Sequence, residues 1–588
     1  MFKDLSPEQR GAKETQPSYN VEPRVYPMGF IPTIKDRLVD FAQNTLGERN
    51  VQLSTLGKNL IDAIQKVDEG ENLQEVFNLA QQVKDFAEEG GKISHEEIEF
   101  VNSALRTEEE LAVIFAKVSR SAGSFEDIAR TVTEEGARKF HEKWTTSLEG
   151  YGHASVAEHA IVHLAVENVP SLDGDIVTDN RPASYTEFSA RFKGRQDLGY
   201  FTPESVLQDL NLSKKWHEVH QDLFEVHDSL VVKGLAYVIT DEAQEKHPGR
   251  KVFTADGSVK VKVVADQFKN LMPGSRLTSI AVTANAREME NMIRKMSSDP
   301  HPSVQKLGGM FKEASLQVAP TLVKYAEKNE YLTLTKEGIG KMAESNRFQQ
   351  EYPEIKEEGQ LVKLVDYDHL SQEKFIAAAL FQESNTSSFV EILRSIMGMS
   401  SEEKRNAIHN LLGSLGRHDV PIRSLEFAGN YLVEYPGMTY GDWREYKRHR
   451  MQTYAAKDLD VRWGYMIPPL AYEMDESKDF RFNGSVDSIK KVMGKVENLF
   501  NEVYKVDPQA AQYCVTRLHY RPAIAMFNTR EAFHLINLRT GPTAHPFIRR
   551  IIWPLYDEIK KVHPILMDHL SIKMQSNGRP GRDFPWTV

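Results

Sequence analysis

Residues 151–192 read YGHASVAEHAIVHLAVENVPSLDGDIVTDNRPASYTEFSARF. Polar groups of very different chemistry crowd this window: His153, Ser155, Glu158 and His159 at its start, and Arg181, Ser184, Glu187, Ser189 and Arg191 at its end. A buried polar group needs a hydrogen-bonding partner, so a stretch that only packs carries few of them. The window therefore reads as a site. Gly152-His153 marks a turn, and Ser155 with Glu158 has the Ser-x-x-Glu pattern of a helix-capping box. The apolar run AIVHLAV that follows suits a buried strand or helix interior, with His153, Glu158 and His159 at one end of it. If Ser184–Phe192 is extended, Glu187, Ser189 and Arg191 share one side. An acceptor, a hydroxyl and a guanidinium so placed suit a ligand with a donor edge and a phosphate.

The window resembles the flavin-dependent thymidylate synthases. That family carries Gly-His-x-Ser/Thr-x-x-Glu-His, followed by Arg-His-Arg-x-x-Ser-x-Asn-Glu-x-Ser-x-Arg-Tyr. The first element is intact here as Gly152, His153, Ser155, Glu158 and His159. The second keeps Arg181, Ser184, Glu187, Ser189 and Arg191, but Asp179 and Asn180 replace its first Arg and His, and Thr186 replaces its Asn. Downstream, Lys269 stands where the family has the Arg of Arg-x-x-Leu-Pro, and Asn285-x-Arg287 opens a helix. Met296 stands where a nucleotide-gripping Arg belongs.

The chain then repeats itself at a spacing of roughly 250 residues. Leu415–Pro421 is a worn Gly-His element, read as lacking its Ser/Thr and Glu. Arg444-Glu-Tyr-Lys-Arg448-His449-Arg450 resembles the family's Arg-Gln-x-x-Arg-His-Arg, whereas the continuation MQTYAAKDLDVRW has lost the Glu and Ser. The closing motif is present as Asn528, Arg530, Asn537 and Arg539 in MFNTREAFHLINLRTGPTAHPFIR. The second half holds what the first half lost.

The resemblance implies an α+β fold in two tandem thymidylate synthase-like copies, each an antiparallel sheet flanked by helices, at 106–345 and 346–588. Residues 1–105 are expected to form an arm and a helical extension. It implies a composite site with Glu187, Ser189, Arg191, Lys269 and Arg539 on the nucleotide. Arg539, Arg191 and Ser189 are the residues closest to the chemistry. His153, Ser155, Glu158, Arg448, His449, Arg450 and Asn528 are expected on FAD. The implied reaction is reductive methylation of dUMP, or a related pyrimidine nucleotide, with NADPH as reductant and methylenetetrahydrofolate as one-carbon donor. Since the family's sites form between subunits, two chains are expected to pair into a pseudo-tetramer. The alternatives are a flavin- or nucleotide-binding paralogue without turnover and, more remotely, a metal-dependent hydrolase. No metal ligand is assigned, because His153, His159 and His163 lack the His-Glu-x-x-His spacing.

Composition bounds the rest. The 588 residues, 40% hydrophobic and 27% charged, are ample for several domains of an ordinary globular protein. A net charge of −11 argues against a general nucleic-acid or anionic-membrane binder, so any phosphate site needs a local basic cluster. The lone Cys514 excludes an intramolecular disulfide and, in QYCVTRL, reads as a core thiol. No apolar run approaches the roughly 20 residues of a membrane span, and a cytoplasmic protein is expected. A turn or hairpin is expected near TADGSVKVKVV, residues 254–264.

Overall fold

The computed structural model describes residues 22–27, 107–118, 131–145, 154–188, 199–247, 261–344, 361–416, 419–541 and 544–576, with isolated positions between them. Two four-stranded antiparallel sheets organise the chain. The first comprises β1 (Arg24–Pro27), β2 (Ile161–Pro170), β3 (Ala183–Glu187) and β4 (Leu277–Asn285) in the order β1-β2-β4-β3. The second comprises β5 (Lys363–Tyr367), β6 (Asn430–Tyr435), β7 (Thr453–Ala456) and β8 (Ala523–Asn528) in the order β5-β6-β8-β7. The two orders are the same, so the chain is a tandem repeat of one α+β unit.

The apolar run after His159 is a strand. Val162, Leu164 and Val166 are buried while Ile161, His163 and Ala165 are half-buried, the period of two that seats one face of a sheet on a core. Its register against β4 shifts between Val166 and Val169, where Asn168 adopts φ 57° in a bulge. The expected capping-box helix does not form. Ala154–Glu158 makes a 3-10 stretch that runs almost directly into β2, and Glu158 is drawn to Arg287 instead. Two further expectations are corrected. Strand β1 falls within the expected N-terminal arm yet pairs with β2, so the first sheet begins far upstream of residue 106. Val261–Phe268, expected near a hairpin, is helical. Most of the expected helical extension lies outside the described residues.

Helices flank the sheets in matching places. In the first half these are α1 (Ser171–Val177), α2 (Leu210–Tyr237), α3 (Ala286–Ser297) and α4 (Pro302–Leu316). Their counterparts are α5 (Tyr440–Tyr446), α6 (Ser485–Val506), α7 (Thr529–Arg539) and α8 (Pro546–Val562). Asn285 and Asn528 each end a strand and cap the next helix, accepting from the N–H of Glu288 and of Glu531. Helices α2 and α6 pack on one another across the junction of the halves.

The halves meet about a pseudo-twofold axis. Pro273 and Thr516, equally far before Asn285 and Asn528, form an antiparallel bridge to each other. Gly274 N–H donates to Val515 O at 2.9 Å, and reciprocally Arg517 N–H donates to Met272 O at 3.1 Å. The entries to α1 and α5 match as well. Ser171 and Leu172 N–H bond Arg276 O and Gly274 O, as Tyr440 and Gly441 N–H bond His519 O and Arg517 O. Asp175 therefore occupies the position of Arg444, Thr178 that of Lys447, Asp179 that of Arg448 and Asn180 that of His449. Cys514 is fully buried close to this axis, and burial pushes its thiol pKa up.

Candidate functional site

Helices α1 and α5 bring the acids of the first half onto the cations of the second. Arg444 Nη1 donates to Asp175 Oδ1 and Arg444 Nη2 to Glu187 Oε1, both at 2.9 Å. Lys447 Nζ donates to Asp175 Oδ1 at 2.6 Å and to Thr178 Oγ1 at 2.5 Å. Arg448 Nη2 donates to Glu187 Oε2 at 2.9 Å. Arg521 faces Asp175 Oδ2 at 3.7 Å, and Arg517 donates to Ser171 Oγ. Five cations thus gather around two carboxylates, a surplus of positive charge that suits an anion.

The electrostatics follow from that surplus. Burial alone would raise Glu187, but Lys447, Arg444 and Arg448 outweigh it and hold the carboxyl at about 2. Asp175 is held down in the same way by Lys447, Arg444 and Arg521 against its burial. Burial, with Arg444 beside it, pushes Arg517 down to about 9. Arg448 keeps 47% of its side chain exposed and forms the solvent edge of the cluster.

A second group adjoins this one. Arg539 Nε donates to His449 Nε2 at 2.9 Å, and Arg539 Nη1 to Glu445 Oε2 at 3.1 Å. A guanidinium in an apolar helix needs an anion or carboxylate partner, and Arg539 has one within the chain in Glu445. Burial, then Arg539 and His534, push His449 well below its ordinary range, so its ring is neutral. Along α7 a cavity of about 420 Å³ opens, lined among others by Met451, Asn528, Glu531, His534 and Asn537. Its size falls within the range of small-molecule pockets. Glu531 Oε1 and Asn537 Oδ1, on residues that line it, are buried without a hydrogen-bond partner, as is His449 Nδ1, 3.4 Å behind Glu531.

Of the predicted site residues, Glu187, Arg448, His449 and Arg539 come together, and Asn528 caps the helix that carries Arg539. Arg450 lies at the rim, donating to Arg181 O at 3.0 Å. Lys269 is buried and paired with Asp266 at 3.4 Å, with no direct bond to Glu187. Glu158 pairs with Arg287 at 2.5 Å, and Ser155 lies in the same 3-10 stretch. No bond joins either to Arg448, His449 or Arg450 among the described residues. His153, Ser189 and Arg191 lie outside the described residues. The His159 ring packs at a tilt against Phe115 and His163 bonds Thr283 Oγ1, ordinary structural roles.

Sequence reasoning missed Asp175, Lys447, Glu445, Glu531 and Glu426. The worn Gly-His element was placed at 415–421, but the structural counterpart of Glu158 is Glu426. Each ends or nearly ends a 3-10 stretch before the second strand of its sheet, and each pairs with the second residue of the helix after the fourth strand, Arg287 or Arg530. The second half has therefore kept its Glu.

A tandem α+β chain with a basic cluster at the junction of its halves defines the class. The family described as "Thymidylate synthase complementing protein" matches residues 101–321 and again 363–565, and the chain belongs to this family in two copies. A "UPF0159 protein" of Chlamydia muridarum is 23% identical over 465 residues, 76% of this chain and 84% of that protein. A flavin-dependent thymidylate synthase of Clostridium tetani is 24% identical over 220 residues, 37% of this chain and 82% of its own length. A solved flavin-dependent thymidylate synthase of Helicobacter pylori, complexed with FAD and dUMP, aligns over 36% of this chain and 98% of its own, at 18% identity and a TM-score of 0.26.

Proposed function

We propose that the chain is a flavin-dependent thymidylate synthase-like enzyme that reductively methylates dUMP, or a related pyrimidine nucleotide, at one composite site made by both halves. The observation that carries the reading is the direct bond between Glu187 of the first half and Arg448 of the second. Neither half holds both residues: the position of Glu187 is Ala456 in the second, and that of Arg448 is Asp179 in the first. In this reading Glu187 accepts from the uracil edge, with Ser189 and Arg191 beside it. Arg191 and Arg539 take the phosphate and draw charge onto the ring. Lys269 would enter by leaving Asp266.

The cavity along α7 fits a flavin: it is large enough for a ring system, and Asn528, His534 and Asn537 line it, with Asn537 Oδ1 lacking a polar partner. Asn528, His449, Arg448 and Arg450 would hold FAD there, with His153, Ser155 and Glu158 supplied by the first half of a second chain in a pseudo-tetramer. Bound FAD supplies hydride-transfer chemistry, with NADPH as reductant and methylenetetrahydrofolate as carbon donor. The residues' part is orientation, charge and exclusion of water. The setting proposed is the cytoplasm; no described helix is long and apolar enough to cross a membrane.

One observation favours binding without turnover. Glu187 is already held by Arg444 and Arg448, and Arg539 by Glu445, so a nucleotide must break these pairs. The metal reading is not carried further, since no His/Cys/Asp/Glu group among the described residues is arranged to hold an ion. The test is the visible spectrum of the purified protein with FAD, followed anaerobically after adding NADPH with and without dUMP. Bleaching that dUMP accelerates, and dTMP formation once the folate is added, support the enzyme. Flavin without turnover supports the binding paralogue, and no flavin after incubation overturns the enzyme and leaves a nucleotide-binding or structural role.

A further inference from the structure

The ring of His449 lies between two groups of opposite demand. Its Nε2 accepts from Arg539, so the proton of the neutral ring resides on Nδ1. Nδ1 faces Glu531 Oε1 at 3.4 Å, close enough for a small ring movement to close a hydrogen bond, and neither atom has a hydrogen-bond partner as the site stands. Glu531 lines the cavity, and its backbone is fixed because Asn528 accepts from its N–H. The first half has no such chain of contacts: Glu288 is the counterpart of Glu531, but Asn180 replaces His449 and Met296 replaces Arg539.

We propose that Glu531 is a positioning residue for Arg539, acting through the tautomer of His449. The proposal deepens the nucleotide-site reading and rests on it for the role of Arg539. With Glu531 ionised, Oε1 accepts Nδ1–H, and Nε2 stays an acceptor that holds Arg539. When Glu531 takes up one proton from solvent, its O–H donates to Nδ1 and the ring proton moves to Nε2. An Nε2–H cannot accept from Arg539 Nε–H, so Arg539 is left held by Glu445 alone, with Arg448 close enough to repel it until an anion neutralises that charge. Burial, opposed by His534, raises Glu531 to about 7, which puts the change in the physiological range. The groups facing Glu531 are His449 and Tyr446 from α5 and the turn after it, and His534 on α7. Asp419, Glu426, Arg530 and His569 line the rest of the cavity.

The test uses the full-length protein with nitrogen-15 histidine, reading the His449 ring from about pH 5.5 to about pH 8.5, with His449→Gln to assign the signal. Wild type is expected to carry its proton on Nδ1 at the upper end and on Nε2 below about pH 7. Glu531→Gln, which accepts from Nδ1–H at every pH, is expected to lock the first tautomer. Calorimetric titration with dUMP is expected to show affinity changing about tenfold across this range in wild type and staying flat in Glu531→Gln. A wild-type ring with one tautomer throughout, or a Glu531→Gln variant that keeps the wild-type pH dependence, overturns the proposal. If no variant binds dUMP, the nucleotide reading fails while the ring spectrum still decides the relay.

Discussion

The two halves place different chemistry at matching positions. At the second-half end of the junction stand Arg448, His449 and Arg539; at the same places in the first half stand Asp179, Asn180 and Met296. There, Lys295 donates to Asp179 O at 2.6 Å and to Asn180 Oδ1 at 3.1 Å, and Met296 is buried with Met289 and Met292 in the first-half core. What is a basic cluster, proposed to face a ligand, in one half is packing and a local ion pair in the other. The reverse holds for Glu187, whose counterpart Ala456 carries no charge. Duplication lets each half specialise, provided the surviving parts face each other, and Glu187 against Arg448 shows one such meeting.

Making the halves alike again should do the most damage. Asp175→Arg sets a third cation against Arg444 and Lys447 in a buried site, and the loss expected in urea unfolding is at least about 4 kcal/mol; an unchanged midpoint would mean the junction tolerates identical halves. Acid probes the same contact more gently. Glu187, lowered to about 2 from 4.5, contributes stability that is fully present above about pH 4.5 and is lost as pH falls toward 2. The upper bound is about 3 kcal/mol, and Glu187→Gln should remove that part of the acid dependence. Glu531 has the opposite sign: its raised folded value means stability falls as pH rises from about 4.5 through about 7, so Glu531→Gln should stabilise at about pH 8 and be neutral at about pH 4. Arg539→Ala should weaken dUMP binding by about 2 kcal/mol, some thirtyfold, whereas Met296→Ala should leave it alone; equal effects would erase the difference between the halves. Cys514→Ser, at a thiol that burial keeps protonated, should change turnover less than about twofold.

The repeat, the α+β class and the complementary survival of motifs in the two halves were legible because motifs survive as local spacings; that Glu187 meets Arg444 and Arg448 directly was not. Asp175 was not read, although DGDIVTDNR lies against DWREYKRHR position by position. Its meaning depends on facing its own counterpart, and a linear reading weighs one position at a time. Glu426 was missed because the second element was anchored on Gly-His rather than on the acid that precedes the strand. Strand β1 was missed because four residues carry too little periodicity, and only pairing with β2 makes them a strand.

The pseudo-twofold axis has a consequence for descent. In a pair of identical halves, a residue that meets its counterpart meets itself, and Arg444 would confront Arg444. Joining two copies in one chain removes that constraint, and Asp175 against Arg444, with Thr178 against Lys447, shows it removed. Once the two sides differ, neither half can pair with its own kind without restoring the clash. At this contact each half is fitted to the other rather than to itself: two arginines would set cation against cation, and two aspartates acid against acid.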